Sequence, residues 1–347
     1  MKRGSLLLSW VSAVLAALGS LGYAIPSRHP PTLMFTGDLL LAGKPGKAIA
    51  KYGPAAPFAK VASLLREADL TVGNLECSLS TRGKPVKDKT FAFRGRPEAI
   101  AALRTAGFDL VTLANNHSYD YGAEALLDTL RACRDCGVTP VGAGGTIEEA
   151  RRAVIVRCGH PPLTVAVLAF SNMLPKQFYA GAARPGTNPA YLSSIREDIA
   201  AVRSQADIVI ALFHWGKERA DTPSKTQRLL AHVAADAGAD LVVGHHPHVL
   251  QGLEVRGDCI IAYSLGNFLF PSRRASTRQT MILTYRPEAR GKATVQVIPC
   301  MIEGFKPRPA TEKERGPMVS RMRQLCARLG TKLSADGLLV LDTGPAN

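Results

Sequence analysis

Three histidines stand in four consecutive positions, His245-His246-Pro247-His248, directly after Gly244 and the apolar run Leu241-Val242-Val243. An aliphatic run of this kind reads as a buried strand, and the glycine lets the backbone turn where the strand stops. His246 and His248, two apart around a proline, can then point neutral imidazole nitrogens into a common space. A chain offers two ligands to one transition metal, or to a close metal pair, in this way. Taken alone the tetrad also describes an exposed histidine-rich turn, so the reading depends on what accompanies it.

Four more segments share the design. Leu33-Met-Phe-Thr-Gly-Asp38 is an apolar run ending in Gly37-Asp38, and Ala68-Asp-Leu-Thr-Val-Gly-Asn-Leu-Glu76 ends in Asn74 and Glu76. Phe108 to His117 ends in Asn115, Asn116 and His117, and Ile208 to Gly216 carries His214 at its end. Each places a metal-competent side chain just past a strand, and strand beginnings show no equivalent cluster. In α/β sheets, ligands bind beyond the carboxyl ends of the strands. A core histidine or a turn asparagine explains any one case; one convergent site explains all five.

The elements that must position these residues alternate along the chain. The pattern predicts helices over Pro57 to Ala68, Arg96 to Ala106, Gly122 to Cys136, Ile195 to Gln205 and Thr226 to Ala237, and a strand over Leu163 to Phe170. Glu124 falls in the first turn of the third helix, where a carboxylate suits the helix dipole. Val138 to Gly145 reads as a strand running into a glycine loop without G-x-G-x-x-G spacing, so no dinucleotide site is indicated. Cys259 to Phe268 repeats the strand-into-polar-turn pattern at Asn267. Gln279 to Tyr285 and Ala293 to Ile302 read as antiparallel strands, and Glu312 to Leu329 as a basic helix.

A chain of 347 residues with 46% hydrophobic and 20% charged residues buries a real core and is not disordered. Met1-Lys2-Arg3 precedes a charge-free stretch from Ser5 to Pro26, long enough to span a bilayer or to serve as a cleaved export signal ending near Gly22-Tyr23-Ala24. The positive start favours a cytoplasmic N-terminus, so the remainder is expected outside the cytoplasm. There, some of the seven cysteines (77, 133, 136, 158, 259, 300 and 326) are expected in disulfides. The Cys133-Arg-Asp-Cys136 pair lacks the second pair a zinc ribbon needs. The net charge of +15 sits late, with 14 Lys or Arg against 4 Asp or Glu over residues 271 to 332. Without a nucleic-acid motif, that field suits an anionic envelope polymer or lipid surface, or a solvated face, better than nucleic acid. The division expected is a leader over 1–30, a main domain over 31–305 and a basic appendage over 306–347.

The segments together resemble the CapA family of poly-γ-glutamate capsule biosynthesis proteins, related to calcineurin-like metallophosphoesterases. The residues that carry the resemblance are Thr36-Gly37-Asp38, Asn74-Leu75-Glu76, Ala114-Asn115-Asn116-His117 with Asp120-Tyr121-Gly122, His214-Trp215-Gly216 with Glu218, Gly244 to His248, and Tyr263 to Phe268. They cover about residues 32 to 272. The resemblance implies an α/β fold of metallophosphoesterase type, a four-layer α/β/β/α sandwich with its site at the strand ends. It also implies one or two divalent ions (Mn, Fe or Zn) held by Asp38, Asn116, His214, His246 and His248, with Glu76 bridging. His117 would protonate a leaving group or steady a phosphoryl oxygen, and Asn74, Asn115, Glu218, His245 and Asn267 would face the substrate. One departure stands out: the related enzymes open on Asp-x-His, whereas Leu39 and Leu40 follow Asp38 here, and Glu76 replaces an aspartate.

Two functions follow from the resemblance. One is an extracytoplasmic, membrane-held metal-dependent hydrolase acting in the synthesis or export of poly-γ-glutamate or another anionic polymer, beside membrane-bound synthase partners. The other is a non-catalytic envelope factor that binds the polymer. The site histidines favour chemistry, and the missing ligand and basic C-terminal stretch favour binding.

Overall fold

The computed structural model describes residues 30–340 apart from residue 88 and residues 289–292, so the Ser5 to Pro26 stretch lies outside the described residues. Among the described residues, no helix is long and apolar enough to cross a membrane.

Two principal sheets hold the strands that matter. The first contains β1 (Leu33–Leu39), β2 (Leu70–Leu75), β3 (Leu110–Thr112), β4 (Thr139–Val141), β11 (Asn267–Leu269), β12 (Gln279–Pro287), β13 (Ala293–Glu303) and β14 (Lys306–Pro309). Its order is β14-β13-β12-β1-β2-β3-β4, with β11 lying parallel to the end of β1. β1 to β4 run parallel, and β12 to β14 form an antiparallel meander against β1. The second sheet contains β5 (Val154–Cys158), β6 (Leu163–Ser171), β7 (Ile208–His214), β8 (Leu241–His245), β9 (Leu253–Arg256) and β10 (Cys259–Ala262), in the order β9-β10-β8-β7-β6-β5.

Strand alternation explains the layering. Along β6, Val165, Val167 and Ala169 point into an apolar layer shared with Leu33, Phe35, Leu70 and Val72 of the first sheet. The intervening Ala166, Leu168 and Phe170 pack the other way, against Ile195 and Ile199 of the helix Leu192–Arg203 and Leu230 of the helix Lys225–Asp236. The first sheet does the same: Met34, Val111 and Ile282 turn outward onto Leu103 and Leu126, from the helices Ala101–Ala106 and Gly122–Asp135. Period-two side chains buried on both faces are what make such strands read as unbroken apolar runs. The result is a mixed α/β protein with two facing sheets between two helical layers.

The predicted helices form, shifted by a few residues at their ends. Pro57 to Ala68 differs most: only Ala62–Leu65 is α-helical, because turns occupy residues 54–61. The stretch from residue 306 is tied into the fold rather than hanging from it. β14 pairs with β13, and the helix Glu312–Ala327 puts Met322, Leu325 and Cys326 into the layer between the sheets. The apolar side chains along this helix are what its basic composition obscures.

The expected disulfides are absent: all seven cysteines are free thiols. Cys77, Cys133 and Cys300 pack in one apolar layer, Cys158 and Cys326 in the layer between the sheets, and Cys259 in the third. They serve as small apolar side chains, and burial pushes the Cys77 and Cys300 thiols up to about 12. Met322, 1% exposed between the sheets, tests the role of the C-terminal helix. Met322→Ala is expected to lower stability by about 2–5 kcal/mol, read as a shift of the urea midpoint; an unmoved midpoint would make the helix peripheral.

Candidate metal centre

Register brings the polar strand ends to one level. In the first sheet Asp38 stands opposite Asn74 on β2 and opposite Asn267 on β11; in the second, His214 on β7 stands opposite His245 on β8. Close backbone approaches between neighbouring strands of each sheet hold these ends at that level. A Cβ on Gly37 would lie 1.9 Å from the Gly266 carbonyl oxygen, the acceptor for the Asp38 N–H at 3.0 Å. A Cβ on Gly244 would lie 2.1 Å from the Tyr263 carbonyl oxygen. Beyond Gly244 the backbone enters the left-handed region at His246 (φ 96°) and His248 (φ 58°). Such conformations cost about 1–3 kcal/mol each in non-glycine residues and persist where surroundings over-determine them. Here Pro247 sits between them, with its carbonyl accepting the Arg219 N–H at 2.7 Å.

A backbone-anchored relay fixes the orientation of the inner polar groups. The His117 N–H donates to Asn115 Oδ1 at 2.9 Å, so the Asn115 amide donates through Nδ2 to Asn74 Oδ1 at 2.9 Å and to the Leu75 carbonyl at 2.8 Å. Asn74 must then donate from Nδ2, and it reaches Asp38 Oδ1 at 2.8 Å and His214 Nδ1 at 3.3 Å. With Nδ1 accepting, the proton of His214 is on Nε2, directed at Asn116 Oδ1 2.9 Å away. In the same way Asn267 gives its amide hydrogens to Ser272 and the Thr277 carbonyl, leaving Oδ1 to accept from His248 Nδ1 at 2.8 Å.

Glu76 lies at the centre of this arrangement. It is fully buried, and neither carboxylate oxygen has a hydrogen-bond partner. His214 Nε2 is 3.5 Å from its Oε1, His248 Nε2 3.8 Å and His117 Nε2 3.9 Å. Burial, followed by the charge of Asp38, pushes the Glu76 carboxyl well above its ordinary range. Burial opposes a charge on His248, yet Glu76 and Asp38 outweigh it and hold that imidazole up at about 10. Burial, with the His248 charge adding to it, takes His246 down to about 3, so it remains a neutral donor. Asp38 Oδ2 lies 3.0 Å from His248 Nδ1 without hydrogen-bond geometry.

Donor atoms of Glu76, His246 and His248 lie within 4.8 Å of one another. An unpartnered carboxylate in a dry interior is costly, and Asp38 Oδ2 and His246 Nδ1 are unpartnered as well. Carboxylate and imidazole donors with free lone pairs this close together suit a divalent transition metal. The residues present therefore fit such an ion, with Glu76, His246 and His248 as the nearest donors and Asp38, Asn116 and His214 against them.

Of the residues singled out in the sequence, Asp38, Asn74, Glu76, Asn115, Asn116, His117, His214, His246, His248 and Asn267 converge here. His245 is buried beside them, its Nε2 3.1 Å from the Thr36 carbonyl. Glu218 is exposed, close enough for its charge to act on His248. Two residues escaped sequence reasoning as site members. Asp120 Oδ2 accepts from His117 Nδ1 at 2.7 Å and from the Phe93 N–H at 2.7 Å, and Lys89 bonds both Asp120 and the Asn116 carbonyl. Asp120 had a signal, three residues after His117; Lys89 lies in a lysine-rich loop with none. Burial lowers the His117 pKa despite Asp120, so the neutral ring keeps its proton on Nδ1 and offers a bare Nε2 to the centre.

Fold and site define a two-sheet α/β protein with a buried carboxylate–imidazole centre at the strand ends. Residues 32–272 match the family described as bacterial capsule synthesis protein PGA_cap. The capsule biosynthesis protein CapA of Bacillus anthracis is 33% identical over 287 residues, covering 81% of this chain and 69% of the relative. The PGA biosynthesis protein CapA of Bacillus subtilis is 32% identical over 276 residues, covering 79% and 72%. A putative 5'-nucleotidase from Staphylococcus aureus superposes with a TM-score of 0.47 at 13% identity, over 84% of this chain and 58% of that one. The chain belongs to the PGA_cap family of bacterial capsule synthesis proteins.

Two outcomes test the centre. Because His248 holds a proton up to about 10, a metal entering at neutral pH displaces it. Apparent Mn²⁺ affinity, measured calorimetrically, is expected to rise about tenfold per pH unit between about pH 6 and 8; a flat profile would remove His248 from the ligand set. Glu76→Gln is expected to weaken Mn²⁺ binding by more than the roughly 10- to 100-fold that losing a ligand's hydrogen-bond partner costs. The metal-free variant should melt no lower than the metal-free parent, since a buried unpartnered carboxylate has been removed.

Proposed function

We propose that this protein is an extracytoplasmic, metal-dependent hydrolase of metallophosphoesterase type acting in the synthesis or export of poly-γ-glutamate or a similar anionic envelope polymer. The observation that carries the reading is the fully buried Glu76 carboxylate, without hydrogen bonds, among His246, His248 and His214. A site for binding a polyanion needs only cations; a carboxylate buried among imidazoles serves to hold a metal. Membership of the family supports the polymer context, since the Bacillus relatives carry the names capsule biosynthesis protein and PGA biosynthesis protein. The charge-free stretch from Ser5 to Pro26 supports placement at or beyond the membrane, beside a membrane-bound synthase.

Glu76, His246 and His248 would hold the ion with Asp38 beside them, and Asn116 and His214 would join one or two such sites only by giving up the hydrogen bond between them. A bound divalent ion supplies Lewis-acid stabilisation of a phosphoryl oxygen and makes water more acidic. The chain's own residues set the proton traffic. Asp120, bonded to Lys89 and accepting the Phe93 N–H, holds the His117 ring so that Nε2 faces the centre. Neutral His117 would take a proton from the attacking water at Nε2 and return it to the departing oxygen, acting first as base and then as the donor the resemblance implies. His214 presents its Nε2–H to Asn116, fixing the amide that borders the site.

Metal analysis of the purified protein, followed by assay against a chromogenic phosphodiester with added Mn²⁺, tests the reading. His117→Ala is expected to keep bound metal and lose roughly 10²- to 10⁴-fold in turnover. A protein that is stable, binds no Mn²⁺, Fe²⁺ or Zn²⁺ and binds polyglutamate would instead be the non-catalytic polymer-binding factor.

A further inference from the structure

The accessible wall of the centre is aromatic. Around the donors, Asp38, Glu76, His214 and His246 are buried, whereas Phe93, Phe270, Asn116 and His248 are half-buried and reach the surface. The Phe93 ring centroid lies 4.5 Å from that of His117, and Phe270 lies 5.0 Å from His248. The two phenyl rings meet edge to face at 6.2 Å, so they form one wall flanking both imidazoles. Phe91 extends that wall, stacked on Phe93 at 6.4 Å and 63% exposed.

If the rings served only to steady the imidazoles, the wall would end at Phe93 and Phe270. Phe91 stacks on a phenyl ring, carries the apolar surface outward and leaves most of its own area in water. Three phenyl groups contiguous with a polar centre make an apolar track that starts at the reacting atoms. Carboxylate-bearing polymer gains nothing from such faces. An apolar chain or ring attached directly to a phosphate gains burial on them while its phosphate remains at the donors.

We propose that the site takes phosphate esters of apolar alcohols, with the phosphoryl group at Glu76, His246 and His248 and the apolar group along Phe93, Phe270 and Phe91. This rests on the phosphoesterase reading above and narrows its substrate to an amphiphile rather than the polyanion itself.

Non-hydrolysable phosphonates test the wall without turnover. With the full-length Mn²⁺-loaded protein, the affinities of methyl-, butyl-, hexyl- and phenylphosphonate are measured by calorimetry. Phenyl- and hexylphosphonate are expected to bind at least about tenfold tighter than methylphosphonate, as burial of several carbons on a partly open surface implies. Phe91→Ser, at a position exposed enough to spare the fold, and Phe93→Ala should each shrink that ratio, with Mn²⁺ stoichiometry reporting whether the centre survives. Ile155→Ser, on the edge strand β5 of the other sheet, should leave the ratio unchanged. Equal affinity for all the phosphonates would overturn the wall and leave the phosphoesterase reading standing. Binding of Mn²⁺ with binding of no phosphonate would sink both.

Discussion

A carboxylate with no hydrogen bonds, fully enclosed, is the constraint around which this protein is organised. Taking a charge out of water costs several kcal/mol even after the surroundings relax, and Glu76 has no N–H or O–H directed at either oxygen. The arrangement persists because the neighbouring groups are themselves held firmly. Asn115 is set by a backbone N–H, Asn74 by Asn115, and Asp38 and His214 by Asn74. None of these groups can rotate to satisfy Glu76 without breaking a hydrogen bond in turn. The unpartnered oxygens are therefore specified by the groups around them, and a cation is the species that satisfies both together.

The same constraint accounts for the use of two sheets. A single sheet could bring Asp38, Asn74 and Asn267 to one level, as the register of β1 with β2 and β11 does. The imidazoles of His214, His246 and His248 arrive from β7 and the turn after β8, in the second sheet. Donors from both sides can meet only if the sheets pack closely at that end. His245 Nε2, 3.1 Å from the Thr36 carbonyl of the other sheet, and Gly142, where a Cβ would lie 2.7 Å from the Ala169 Cβ on β6, mark that approach.

Most of this was legible in the sequence, because strands buried on both faces give long apolar runs and the polar residue after each run marks its end. The histidine tetrad, Asp38, Glu76 and the Asn115-Asn116-His117 loop were found that way. Lys89 was not, since its loop has no periodicity and its importance depends on a fold that lays it over Asp120. The aromatic wall was missed for a related reason: Phe91 and Phe93 share one loop, whereas Phe270 comes from a segment far along the chain. The C-terminal helix looked like an appendage because its charges outnumber the buried Met322, Leu325 and Cys326. The cysteines misled by context. An expected compartment suggested bridges, whereas local surroundings made them packing residues.

The place of β1 in the first sheet has a consequence for how the molecule is made. One edge of β1 is satisfied early by β2, but its other edge waits for β11 and β12, synthesised after nearly every other strand. Asp38 cannot be set in place until the Gly266 carbonyl reaches its N–H. A growing chain therefore carries an apolar strand with an open hydrogen-bonding edge for most of its synthesis, which is a template for mispairing. Long-range closure of this kind folds slowly. Assembly of the centre is accordingly an event of the finished chain, and a nascent chain remains without its metal-binding geometry until its last third has emerged.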